Sequence, residues 1–259
     1  MGVFMKRYIQ RLLPLLLGAF ILLSSCSSLP ELSYRDGVYT DKKSGISYTH
    51  APAYYEAISY TQDTEIGKLA EGAGVLVYPI KGVDPAKMIC TKNYEILCAV
   101  GNTMPELWDM NLTKLHICKT VIASYALAEV TDAAVLEKIA EIYGGTAFPA
   151  SEIAAGLKNE KFDLKFESTN LPGVYYCLIY QRFEEDVLIY EDIEDPDTFV
   201  SSYPNAQVSV HAYEDGSGSY YAEYNFGKEI LYNRSTDSCY ALGDTLISYM
   251  EEEETEANT

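Results

Sequence analysis

Side chains able to do chemistry are unevenly spread along this 259-residue chain, and acids dominate them. Between Glu184 and Asp197 stand eight acids and no base: Glu184, Glu185, Asp186, Glu191, Asp192, Glu194, Asp195 and Asp197. Five of them, Glu191, Asp192, Glu194, Asp195 and Asp197, fall in one stretch read as a loop. Carboxylates at that density could wrap a hard cation such as calcium, which takes six to eight oxygens. The stretch is no EF-hand, since it has no glycine at the sharp turn and no downstream glutamate. The alternative is a solvated acidic loop that keeps the protein soluble. A second group is aromatic. Tyr213, Tyr220, Tyr221 and Tyr224 surround one hairpin, and rings gathered on an exposed face would form a platform for sugars or peptides.

Nucleophilic and metal chemistry find less support. His116-Ile117-Cys118 places a histidine and a cysteine on one strand face, without an orienting acid. A metal site would need Cys90 or Cys98 brought to the same place. Gly216-Ser217-Gly218 lacks the frame of a nucleophile elbow, and Gly72-Ala73-Gly74 lacks the third glycine of a phosphate cradle. Paired carboxylates are too plentiful among 38 acids to single out a glycosidase pair.

The elements that must position these groups read as strands. Val38-Tyr39-Thr40 and Ile46-Ser47-Tyr48 flank a turn, as do Ile230-Leu231-Tyr232 and Ser238-Cys239-Tyr240. Strands are expected over 74–79, 88–100, 115–129, 162–167, 174–183, 187–191, 207–213, 219–226 and 228–232. Thr131 is expected to cap a helix over 132–143, stopped by Gly144-Gly145, and Ser151 a second, short helix to Leu157. The 23 tyrosines suit half-buried pleated faces, where the ring packs and the hydroxyl meets water. The expected fold class is α+β, mostly antiparallel sheet with one clear helix. The strand-rich domain would span 31–250, with a break near Gly144 to Gly156 dividing subdomains 31–145 and 157–250.

The N-terminus is an address. Lys6, Arg7 and Arg11 precede an uncharged run from Leu12 to Leu23, the length of a signal-peptide apolar region and too short to span a bilayer. The run ends in Leu23-Ser24-Ser25-Cys26. This resembles the lipobox of bacterial lipoproteins. The resemblance covers only residues 1–26, and it implies lipidation of Cys26, cleavage before it, and a tether over 26–30. A plain secretory signal with a chance cysteine is the alternative. Cleavage would remove three basic residues and no acidic ones, taking the net charge from −19 to −22. Such a charge argues against nucleic acid as a partner. Five cysteines would remain, an odd number, read as buried apolar residues rather than a disulfide framework. The tail over 251–259 opens with four glutamates and is expected to be disordered.

Together these features point to a lipid-anchored protein on the outer face of a bacterial membrane. Its expected role is a non-catalytic binding or envelope-interaction module with an unknown protein or envelope partner. No cofactor is expected beyond the calcium considered above. An envelope hydrolase using paired carboxylates and a transporter-associated solute-binding protein are the competing readings.

Overall fold

A computed structural model describes residues 30–61, 64–70, 74–120 and 124–250. The expected signal peptide, Cys26 and the acidic tail lie outside them. The fold is strand-rich, as expected, but its first third closes on itself. Strands β1 (Glu31–Arg35), β2 (Val38–Asp41), β3 (Ser47–His50), β5 (Gly67–Leu69), β6 (Leu76–Pro79), β7 (Met88–Thr91) and β8 (Ile96–Ala99) form a closed barrel. The order is β1-β2-β3-β8-β7-β6-β5, and a parallel pairing of β5 with β1 shuts it. Gly67 permits that closure: a Cβ there would stand 2.6 Å from Leu32 Cδ1 and 2.9 Å from the Pro30 carbonyl oxygen.

Both faces of the barrel wall are used. Leu32, Tyr39, Tyr48, Leu69, Val77, Ile89 and Leu97 fill the interior. Their neighbours along the strands, Tyr78, Met88, Cys90, Ile96 and Cys98, point outward into the main core. The apolar run over 88–100 is therefore continuous rather than alternating. It is also two strands and not one, because a turn with Tyr94 at φ 67° reverses the chain.

The main sheet has the order β10-β9-β12-β13-β17-β18-β11. Its strands are β9 (Leu112–Thr120), β10 (Ser124–Val130), β11 (Phe148–Pro149), β12 (Asn159–Ser168), β13 (Val174–Phe183), β17 (Glu229–Asn233) and β18 (Ser238–Ala241). The expected strand over 115–129 is instead parts of β9 and β10, paired antiparallel. Strand β4 (Tyr55–Ala57) leaves the barrel region and pairs with β13. Helix α1 (Ala133–Tyr143) packs Leu136, Ile139, Ile142 and Tyr143 on the inner face. Its cap is Asp132, not Thr131: the Asp132 carboxylate accepts the Ala134 N–H at 2.9 Å. The helix expected from Ser151 is only a 3-10 turn, Ala150–Glu152. One core holds side chains from Tyr55 to Met250, on both sides of the stretch from Gly144 to Gly156.

Tyrosine hydroxyls join these parts. Tyr176, fully buried, has its hydroxyl 2.8 Å from that of Tyr143 and 3.1 Å from Glu106 Oε2. Tyr54 donates to Glu106 Oε1 at 3.2 Å, and Asn233 Nδ2 donates to the Tyr143 hydroxyl at 2.6 Å. Burial, then the Glu106 charge, pushes Tyr54 up to about 12. Farther along the sheet, Tyr180 donates to Glu229 Oε1 at 2.5 Å, and the Leu246 N–H donates to Oε2 at 3.1 Å. Burial raises the Glu229 carboxyl above the ordinary glutamate value of 4.5.

Two outcomes follow from this buried polar chemistry. Tyr176→Phe leaves Tyr143 and Glu106 short of a partner and should cost about 1–3 kcal/mol in urea unfolding. Glu229 binds its proton more tightly folded than unfolded. Its contribution is therefore full below pH 4.5 and is lost as pH rises through the raised value. The melting temperature of Glu229→Gln should gain on wild type across that window and then run parallel to it. A gap independent of pH would refute the assignment.

Candidate functional site

A third, three-stranded sheet stands outside the barrel and the main sheet, in the order β14-β16-β15. Its strands are β14 (Leu188–Ile193), β15 (Gln207–Ala212) and β16 (Tyr220–Asn225). Side chains alternate across the pleat, so register decides what shares a face. Ile189, Ala222 and Tyr224 share the inner face and are buried with Phe148, Phe183 and Phe226. Tyr203 packs its ring edge-on to Tyr224 at 4.8 Å between centroids.

The other face is open. Asp192 and His211 both lie opposite Tyr221, and Tyr190 and Ser209 both lie opposite Glu223. Tyr190 is 57% exposed and Tyr213, just beyond β15, is 40% exposed. Tyr221 lies among the other three rings, 6.0 Å from Tyr190, 4.9 Å from Tyr213 and 5.2 Å from His211 between centroids. Tyr213 donates its hydroxyl to Asp192 Oδ1 at 2.6 Å, which holds that phenol above its ordinary range. Slight burial, then the Glu223 carboxylate, does the same for Tyr190. These phenols therefore remain neutral donors at ordinary pH, and each carboxylate keeps a second oxygen able to accept.

The hairpin that carries the platform is built locally. The Asp215 carboxylate accepts the Ser217 N–H at 2.8 Å, and Gly216 and Gly218 take positive φ. The Tyr213 N–H then reaches the Ser219 carbonyl at 3.0 Å, closing β15 onto β16. Beside the free edge of β14 runs a groove of about 530 Å³, lined by Glu152, Ala154, Leu188, Ile189, Tyr190, Glu191 and Tyr203.

The structure divides the expected site residues. Of the four tyrosines, Tyr213 and Tyr221 meet on the open face. Tyr220 faces the other way, and Tyr224 is fully buried, donating to Glu191 Oε2 at 2.7 Å. Tyr190 and His211 complete the platform. Their signal in the sequence is only the alternation of each strand, because the register that joins them is a tertiary property.

The acidic stretch does not gather into a cup. Glu191 and Asp192 belong to β14 and point to opposite faces, each engaged by a tyrosine hydroxyl. Asp195 Oδ1 accepts the Asp197 N–H at 3.0 Å, and Glu194 is exposed. Among the described residues, no group of three or more His, Cys, Asp or Glu side chains could hold a metal ion.

The catalytic alternatives fare no better in geometry. His116 and Cys118 do share a strand face, but both nitrogens of His116 are engaged, Nδ1 with Glu129 at 3.1 Å and Nε2 with Glu167 at 2.6 Å. Both ring nitrogens are thus directed at carboxylates rather than at a thiol. Cys90, Cys98, Cys118, Cys177 and Cys239 form no disulfides with one another. Burial pushes the Cys90 and Cys239 thiols up to about 12, away from the thiolate form a nucleophile needs. The buried carboxyl with a raised value, Glu229, spends both oxygens on protein donors.

Comparison with family models finds no match. Comparisons with curated proteins and with solved structures find none either. Among the described residues, no helix is long and apolar enough to cross a membrane.

The two faces of β16 should separate by mutation. Tyr224→Ala empties a buried ring site and should cost about 3–5 kcal/mol in chemical unfolding. Tyr221→Ala removes a ring from the open face and should cost no more than about 1 kcal/mol. Equal costs would mean that the open face is a packing surface.

Proposed function

We propose that the protein is a membrane-anchored extracytoplasmic lipoprotein that works as a non-catalytic binding module. The lipid on Cys26 would hold it at the outer face of a bacterial membrane, and residues 26–30 would set the barrel just beyond that surface. The observation that carries the binding role is the open face of the three-stranded sheet. Exposed Tyr190, Tyr213 and His211 gather around half-buried Tyr221 in one contiguous ring array. The core is already complete beneath it, so the array has no evident task in folding. Adjacent exposed rings are costly to keep in water and mark surfaces that meet a partner. The acidic balance favours a protein or envelope partner over nucleic acid.

Both halves can be tested. A labelled fatty acid fed to expressing cells should enter the protein, and Cys26→Ser should abolish its entry. For binding, purified envelope polymers and synthetic peptides should be screened against immobilised protein by biolayer interferometry. At least one binder should weaken tenfold or more with Tyr190→Ala/Tyr221→Ala. If every binder ignores that substitution, the face is not the binding surface.

A further inference from the structure

We infer that the open face and the free edge of β14 together bind an extended, cationic segment of a protein partner, added to the sheet as a further strand. This rests on the reading of the aromatic face as the binding surface and names the chemistry of what it takes.

The first argument is the edge. β14 pairs with β16 on one side and, among the described residues, with no strand on the other. Just before β14, the Val187 N–H donates to the Gly227 carbonyl at 2.9 Å, and the Phe226 N–H donates to the Val187 carbonyl at 2.9 Å. Antiparallel pairing alternates from there. Ile189 and Glu191 turn their backbone groups to β16, and Leu188, Tyr190 and Asp192 turn theirs outward. The groove along β14 lies on that side. A row of outward donors and acceptors beside open space is the template that extended peptides use when they add to a sheet.

Charge is the second argument. The strands β14, β15 and β16 contain no Lys or Arg. Their open face carries Asp192 and Glu223 among four rings, and the β15–β16 hairpin adds Glu214 and Asp215. Rings with negative faces, flanked by carboxylates, suit ammonium or guanidinium groups. The chain's net charge of −19 steers cationic partners inward and anionic ones away.

Periodicity joins the two arguments. On a strand added to β14, every second side chain rises on the open face beside Tyr190 and Asp192. The side chains between them descend into the groove, where Ala154, Ile189 and Tyr203 stand beside the carboxylates of Glu152 and Glu191. The favoured segment therefore alternates Lys or Arg with small apolar or hydroxyl-bearing residues.

The test uses full-length protein in neutral detergent and a decapeptide alternating Lys with Val and Thr. Controls are the same peptide with Glu for Lys, a copy N-methylated at alternate backbone nitrogens, and neutral oligosaccharides. Binding is followed by calorimetry and by amide hydrogen exchange. The lysine peptide should bind and slow exchange at Leu188, Tyr190 and Asp192. Its affinity should fall at least tenfold with Asp192→Asn/Glu223→Gln, with the N-methylated copy, and with rising salt.

If the lysine peptide fails to bind, or binds as well once N-methylated, the inference is overturned. A neutral oligosaccharide bound in its place, and lost with Tyr190→Ala/Tyr221→Ala, would overturn it while sustaining the aromatic face as the binding surface. Peptide binding indifferent to the tyrosine, Asp192 and Glu223 substitutions alike would overturn both.

Discussion

The meeting of tyrosine hydroxyls at Glu106 is the contact on which the arrangement of parts depends. The barrel, the main sheet and α1 each have apolar faces that could slide against one another, because burial alone is not directional. Hydroxyls are directional. Tyr54 comes from the segment leading into β4, Tyr143 from the last turn of α1, Tyr176 from β13, and Asn233 from the end of β17. Misplacing any of these elements would strand a buried polar group, at about 1–3 kcal/mol each. Gly173 marks the same seam from the other side. It takes φ 79°, a Cβ there would stand 2.7 Å from the Lys81 carbonyl oxygen, and its own carbonyl accepts the Ile58 N–H at 3.0 Å. The segments that leave the barrel around β4 and after β8 are thus bonded to the sheet and not merely resting on it.

What was legible in the sequence follows the range of the interactions. The hairpins around 41–45 and 233–237 declare themselves through local turn chemistry, and β13 matches its expected 174–183 because a long alternating run has one sensible pairing face. Helix α1 is equally local, although its cap lies one residue later than Thr131. Barrel closure is not local. It joins three- to five-residue strands and depends on Gly67 meeting Pro30 and Leu32, residues with no relation in periodicity. The turn at Asp36-Gly37, with both residues at positive φ, is a sequence signal for the hairpin that opens the barrel. The expected hairpin, which begins at Val38, forgoes it.

The site shows the same division. Tyr213 and Tyr221 were visible as members of one hairpin, and the structure keeps them together. Tyr190 belongs to a strand expected over 187–191, 30 residues from Tyr220, and it reaches the platform only through the register of β14 on β16. That register also disperses the expected carboxylate cup. A loop could turn five acids toward one point, but a strand sends Glu191 and Asp192 to opposite sides, and each meets a tyrosine there. A pattern of charges therefore has no meaning as a site until the backbone conformation beneath it is known.

Acidity acquires a different role once β14 is seen as an edge. Exposed edges invite pairing between copies of the same chain, and proteins commonly blunt them with charge, proline or a covering segment. Here the strand and its exit carry Glu191, Asp192, Glu194, Asp195 and Pro196. Two such edges brought together would oppose like charges in a medium that screens them only beyond about 10 Å. That repulsion opposes self-association without covering the backbone groups. A cationic segment meets the same charges as attraction, and Tyr190 beside them adds a ring face for its side chains. One set of residues thus protects an open edge from its own kind and leaves it usable by a partner of opposite charge.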